Sequence, residues 1–198
     1  MANQSIALSQ REPQGVVRLS ASVDFFRHFS DQAIVEFMQQ YPKIELSFLL
    51  DNRNLELVEE NIDIAVRISK FEDSSLVAKK VSENKAGLFA HSSLFEHDPK
   101  PEKLDDLRHI PCILKPSDAN GGVWILQHDQ QQQKFSIQVN WRFNVNSIVD
   151  QLQAVKAGLC IVLLPYLLAL VEVQRGNLIP ILDDYWQDLG GVYIVKPH

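Results

Sequence analysis

Gly15-Val16-Val17-Arg18-Leu19-Ser20-Ala21-Ser22 is the stretch whose reading decides the fold. Its β-branched and apolar residues predict a strand that stops at Ser22. Ser22 can cap a following helix, and Asp24 in the first turn suits the helix dipole. Phe25, Phe26, Phe29, Ala33, Phe37 and Met38 then recur at steps of three and four, the spacing of one helical face. Tyr41-Pro42 ends that helix, because the residue before proline is pushed out of the α region. A strand followed by an amphipathic helix is half of a βαβ unit.

The same grammar repeats outward from this stretch. Residues 44–50 predict a strand, 55–60 a short helix and 62–68 another strand. Strands alternating with helices imply a mostly parallel sheet. Two further strands, 76–81 and 86–90, lead into a segment that starts afresh with its own helices near residues 87–92. It holds a short helical stretch at 94–96, a turn at 104–107 and a strand at 110–114. Asn120-Gly121-Gly122 signals a turn, and strands 123–126 and 135–139 flank a glutamine-rich tip at 128–133. A strand at 143–145 precedes Asn146-Ser147, which can cap a helix carrying Ile148, Leu152 and Val155. Gly158 stands at that helix's C′ position. A strand at 161–164, a helix opened by Pro165 and a last strand at 192–195 complete the chain.

Composition narrows the function. The chain has 198 residues, 19 Lys plus Arg against 25 Asp plus Glu, and a formal net charge of −6. With 45% hydrophobic and 22% charged residues it is an ordinary globular chain, long enough to bury a core. The acidic balance supplies no basic stripe for nucleic acid, so the chain is not expected to grip DNA by itself. The two cysteines are too few for a disulfide framework, and Cys160 lies in an apolar run as a small buried hydrophobe. The first fifteen residues hold no signal-peptide core, and the most apolar stretch, 159–173, is divided by Pro165 and shorter than the ~20 residues of a spanning helix. A soluble, cytoplasmic protein is expected. The chain has no G-x-S-x-G elbow, P-loop or G-x-G-x-x-G, and its six histidines form no HxxxH pair. Asp183-Asp184 reads as solvated loop. No enzyme activity, cofactor or metal site is expected.

Four stretches, taken in order, resemble the effector-binding domain of LysR-type transcriptional regulators. They are residues 15–22 with the Tyr41-Pro42 break; Asn54-Leu55-Glu56-Leu57-Val58 with Asp63-Ile64-Ala65-Val66-Arg67-Ile68; Asp73-Ser74-Ser75-Leu76 with Ile110-Pro111-Cys112; and Ala154-Val155-Lys156-Ala157-Gly158, Leu164-Pro165 and Gly176-Asn177-Leu178. Arg67, with Asp73-Ser74-Ser75-Leu76 after it, is similar to the subgroup that contains CrgA and AphB. Glu56 and Asn61 stand where the subgroup often has Asp and Gly, and Leu159-Cys160 replaces a more usual small-residue run.

The resemblance implies an α/β fold of two Rossmann-like lobes joined by two crossover strands, like type 2 periplasmic binding proteins. Lobe I would hold residues 15–88 and 190–198, and lobe II residues 89–189. The family's N-terminal winged helix-turn-helix and its last helix are not present, so residues 1–14 are expected to be a linker remnant. DNA would be reached only through that absent domain. The implied function is sensing of a small anionic metabolite in the cleft between the lobes, with pairing into a homodimer or tetramer. The alternative is a free periplasmic-type solute-binding protein.

The expected ligand-binding residues are Ser20, Ser22, Asn52, Arg53, Arg67, Ile68, Asn146, Ser147 and Pro165. In open α/β sheets ligands bind beyond the carboxyl ends of strands, at helix N-termini. Ser22 reads equally as an N-cap or a ligand contact, as do Asn146 and Ser147 in the second lobe. Arg53 reads as a solvated arginine or a cleft residue. Arg67 reads as the partner of a ligand carboxylate, through its guanidinium fork, or of a local acid such as Glu72 or Asp73.

Overall fold

The opening stretch forms strand β1 (Gly15–Ala21) in a computed structural model, which describes residues 12–28, 31–51, 60–69, 77–116 and 122–196. The chain divides into two compact units. Among the described residues, the first holds those up to 67 together with 77–81 and 192–196, and the second holds 68–69 and 82–191.

In the first unit β1 lies between two parallel neighbours, β2 (Ile44–Leu50) and β3 (Ile64–Ser69). The register runs from Gly15 opposite Ile44 to Ala21 opposite Leu50, and Ser20 stands opposite Ala65. The helix expected from the phenylalanine spacing is divided into α1 (Phe25–His28) and α2 (Asp31–Gln40). Phe25 is buried, and both Phe25 (tilted) and Phe26 (edge-on) pack against the ring of Phe48 of β2. Val35, Phe37 and Met38 on α2 stay exposed. Their periodicity marks a face that the described part of this unit does not cover. Among the described residues a buried apolar cluster here joins Ile62, Ala65 and Val195, with Tyr193 against it.

Two long strands run through both units. β4 (Val77–Ala90) is one strand where two were expected. Ser82-Glu83-Asn84-Lys85 reads as a break because it is polar, but these residues lie on a solvated part of a continuous strand. Two short 3₁₀ turns, Ser92–Phe95 and Leu104–Arg108, lead to β5 (Pro111–Leu114). The hairpin β6 (Val123–His128) and β7 (Gln131–Gln138) turns at Asp129-Gln130. The glutamines at 131–133 therefore begin a strand and do not form the tip. β8 (Asn140–Asn144), α3 (Ile148–Lys156), β9 (Ile161–Pro165) and α4 (Tyr166–Gln174) follow, and β10 (Ile179–Lys196) closes the chain. β10 corrects a second expectation. Asp183-Asp184-Tyr185-Trp186 is strand, with Tyr185 opposite His128 and Trp186 opposite Gln127, because backbone pairing to β6 outweighs the local polarity.

The second unit's strands pair in the order β4-β9-β5-β8. β5 is parallel to β8 and β9, and β4 is antiparallel to β9. All five residues of β9 are buried, as in a sheet covered on both faces. Ile161 and Leu163 join Leu88, Cys112, Leu114 and Trp124 on one side. Val162 and Leu164 join Phe89, Ile113, Leu152 and Cys160 on the other. Cys112 and Cys160 are thus both free, buried and in different clusters. Gly158 follows the C-cap Ala157 of α3 with φ 77°, a left-handed turn that glycine adopts without strain.

Candidate functional site

In the first unit the strand order β2-β1-β3 makes the gap between β1 and β3 a topological switch point: the chain leaves β1 to one side and returns to the other. Backbone groups at the carboxyl ends of such strands diverge, leaving room for a ligand. Ser20 on β1 and Arg67 on β3 meet there. Ser20 stands opposite Ala65, and Arg67, two residues beyond Ala65, shares that face of the pleat. The Arg67 guanidinium donates to Ser20 Oγ at 2.8 Å and to the Val66 carbonyl at 3.1 Å. Partial burial pulls the Arg67 pKa below its ordinary value, and the Asp51 carboxylate opposes that shift. Asp51 follows β2, and its N–H donates to the Ala21 carbonyl at 2.9 Å. Two expected site residues on separate strands are thus joined, with an acid from the third strand nearby.

The other expectations for this unit divide. Ser22 is half-buried and caps through its backbone, its carbonyl accepting from Phe25 N–H at 3.0 Å. The helix it opens has only four residues, so the dipole expected at Ser22 and Asp24 has no length over which to build. Ile68, which falls to the second unit, is 45% exposed. Asn52, Arg53, Glu72 and Asp73 lie outside the described residues.

The second unit repeats the geometry with β5 between β8 and β9. Ser147 caps α3, its Oγ accepting from Asp150 N–H at 3.3 Å, while Asn146 beside it is exposed. Pro165 is buried as the last residue of β9 and the N-cap of α4, opposite Ala86. Beside it lies a cavity of about 20 Å³, enough for one water-sized group. Lys115, Gln151, Gln187 and Pro165 line it, with Ile113 and Trp124 as apolar walls. Gln151 is 1% exposed, and its Nε2 donates to the Val145 carbonyl at 2.7 Å.

Lys115, Gln151 and Gln187 escaped the sequence reading, though two carried a signal. Lys115 directly follows β5, where the carboxyl-end rule points. Gln151 sits three residues after Ile148, a polar residue on the apolar stripe of α3. Gln187 carried none, because its segment reads as loop. A larger open groove of about 750 Å³ runs along residues such as Phe95, Lys100, Asp106 and Ile110. It borders Pro111, the amino end of β5, the wrong end of a parallel strand for a ligand site.

Among the described residues no group of three or more His, Cys, Asp or Glu side chains could hold a metal, and no helix is long and apolar enough to cross a membrane.

Residues 10–198 match the LysR substrate binding domain family. The HTH-type transcriptional activator TtdR of Escherichia coli (strain K12) is 31% identical over 176 residues, covering 88% of this chain and 56% of that protein. The chain therefore spans little more than half the length of that relative. Among solved structures, full-length AphB, the Vibrio cholerae virulence activator, superposes with a TM-score of 0.80 at 23% identity, covering 95% of this chain and 63% of the other. The CrgA regulatory domain from Neisseria meningitidis gives 0.78 at 22% identity, covering 93% and 89%. These two share the fold.

Proposed function

Given that the chain belongs to the LysR substrate-binding-domain family, we propose that it is the part of a transcriptional regulator that senses a small anionic metabolite. The observation that carries this reading is the Arg67–Ser20 pair at the β1/β3 switch point. A guanidinium held in place by a buried hydroxyl is preorganised for a carboxylate or a similar anion. Ser22 beside it, and Asn52 and Arg53 after β2, complete the proposed first-unit contacts, and Ile68, next to Arg67 in sequence, is a further proposed contact. Ser147, Asn146 and Pro165 are the counterparts in the second unit. The proposed lobes are residues 15–88 with 190–198 and residues 89–189, supported by β4 and β10 both running through the two units.

In the whole regulator the effector would bias the equilibrium between two arrangements of the protein, and only by its difference in affinity for them. DNA contact belongs to a winged helix-turn-helix outside this chain, in keeping with the net charge of −6. The chain pairs into a homodimer or tetramer, works in the cytoplasm and needs no cofactor. A free solute-binding protein is the less supported reading, because the curated relative TtdR is named a transcriptional activator.

A thermal-shift screen of organic acids, amino acids and neutral analogues tests the proposal. A ligand at ~100 times its Kd adds ~2.7 kcal/mol of stability, so even modest binders register. Stabilisation by anions and not by their neutral analogues is expected. Stabilisation by neutral or cationic compounds alone would overturn the anionic reading.

A further inference from the structure

The strand register of the first unit supports a finer statement about the effector, resting on the reading that its carboxylate lies against Arg67. Ser20 stands opposite both Leu49 and Ala65. One step of two residues along each of these parallel strands brings Asp51, Ser22 and Arg67 abreast, on the face that also holds Ser20. The Asp51 N–H bond to the Ala21 carbonyl at 2.9 Å keeps β2 paired with β1 to this point. Two strand spacings of ~4.8 Å place the outer members of the row ~10 Å apart at their Cα atoms. Across the carboxyl end of β1 the row therefore runs carboxylate, hydroxyl, guanidinium.

The two ends of that row treat an anion oppositely. A guanidinium carries more donors than the bonds to Ser20 Oγ and the Val66 carbonyl use, so it can still take a carboxylate. The Asp51 charge is close enough to act on Arg67, and it acts equally on whatever Arg67 binds. In a partly desolvated site, like charges a few ångströms apart repel far more than in water. A ligand with one carboxylate gains the guanidinium and turns an uncharged end toward Asp51. A short dicarboxylate cannot place both its charges near Arg67 without bringing one toward the acid.

We propose that Asp51 is a specificity-determining residue that limits the effector to a single carboxylate at this row, rejecting short dicarboxylates by like-charge repulsion. Repulsion of this kind discriminates without weakening the contacts of the ligand that is admitted.

The test is calorimetric titration of the chain with straight-chain monocarboxylates and dicarboxylates of three to six carbons, matched in length. The wild-type chain should bind a monocarboxylate at least tenfold more tightly than its dicarboxylate match. Asp51→Asn keeps the backbone bond to Ala21 and should close that gap to within about threefold, by a gain in dicarboxylate affinity. A gain of binding needs a folded site, which a merely destabilised variant does not provide. Equal or tighter binding of dicarboxylates by the wild-type chain overturns the proposal and leaves the anionic reading intact. Discrimination that persists in Asp51→Asn, folded by circular dichroism, places it elsewhere and also overturns the proposal. Failure of every member to bind overturns it as well, and where neutral analogues bind instead, the anionic reading falls with it.

Discussion

Glu172 shows how much one buried side chain can organise. It lies on α4 with its carboxylate 7% exposed, accepting from Asn177 Nδ2 at 2.6 Å, Lys156 Nζ at 3.0 Å and Arg175 at 3.1 Å. Its carbonyl also accepts from the N–H groups of Asn177 and Leu178, so it ties α3, α4 and the approach to β10 together. The hydrogen bond from Asn177, ahead of those from Lys156 and Arg175, holds its carboxyl below the usual range. A lowered folded-state pKa means stabilisation that is complete above the unfolded value of about 4.3 and drains away as pH falls below it. Glu172→Gln should therefore destabilise by about 1–3 kcal/mol at pH 7. In urea titrations the gap from wild type should narrow by pH 3.5, and a gap independent of pH would contradict the assignment. Arg67 and Ser20 stand out in the sequence as candidate site residues because each is a charged or hydroxyl residue at the end of an apolar strand. Gln187 was not, since a polar residue in a polar run carries no signal until its strand is known.

At the scale of elements, parallel strands and helices of the second unit were legible from periodicity, since β9 and α3 bury what the pattern says they bury. The long strands β4 and β10 were not. Their central residues are polar, and only pairing with distant strands makes them extended, which no local window records. Gly87 on β4 is a crowded position. A Cβ there would stand 2.7 Å from Cζ of Tyr166, the first residue of α4, whose ring packs edge-on against Phe89 at 5.8 Å between centroids. Gly87→Ala must push the ring aside and should cost about 1–3 kcal/mol. For a chain of this size each kcal/mol is worth roughly 2–4 °C, so the melting temperature should fall by several degrees. Gly87→Ala combined with Tyr166→Ala should recover part of the overpacking term. A single variant that melts with the wild type would show that the ring yields freely.

For the whole molecule, the α/β class and the family were legible because several short motifs recur in one order, each weak by itself. The unburied apolar faces were legible only as periodicity without a partner. Phe37 and Met38 on α2, and Trp141 and Phe143 on the wholly exposed strand β8 at one end of the strand order, remain open to solvent. Exposed strand edges and apolar patches of this kind favour association. The proposed homodimer or tetramer should appear in multi-angle light scattering as a mass that rises with concentration from that of a single 22.6 kDa chain. A constant monomer mass from micromolar to near-millimolar concentration would contradict it. The effector site itself has a sharper test, a calorimetric titration of an anion found by the thermal-shift screen into wild type and Arg67→Ala. Loss of one charge-assisted hydrogen-bonded pair is worth about 1.5–3 kcal/mol, so affinity should fall at least tenfold, beside a lower melting temperature without ligand because Ser20 Oγ loses its donor. Unchanged affinity in folded Arg67→Ala would contradict the placement of the anion site at the carboxyl ends of β1 and β3.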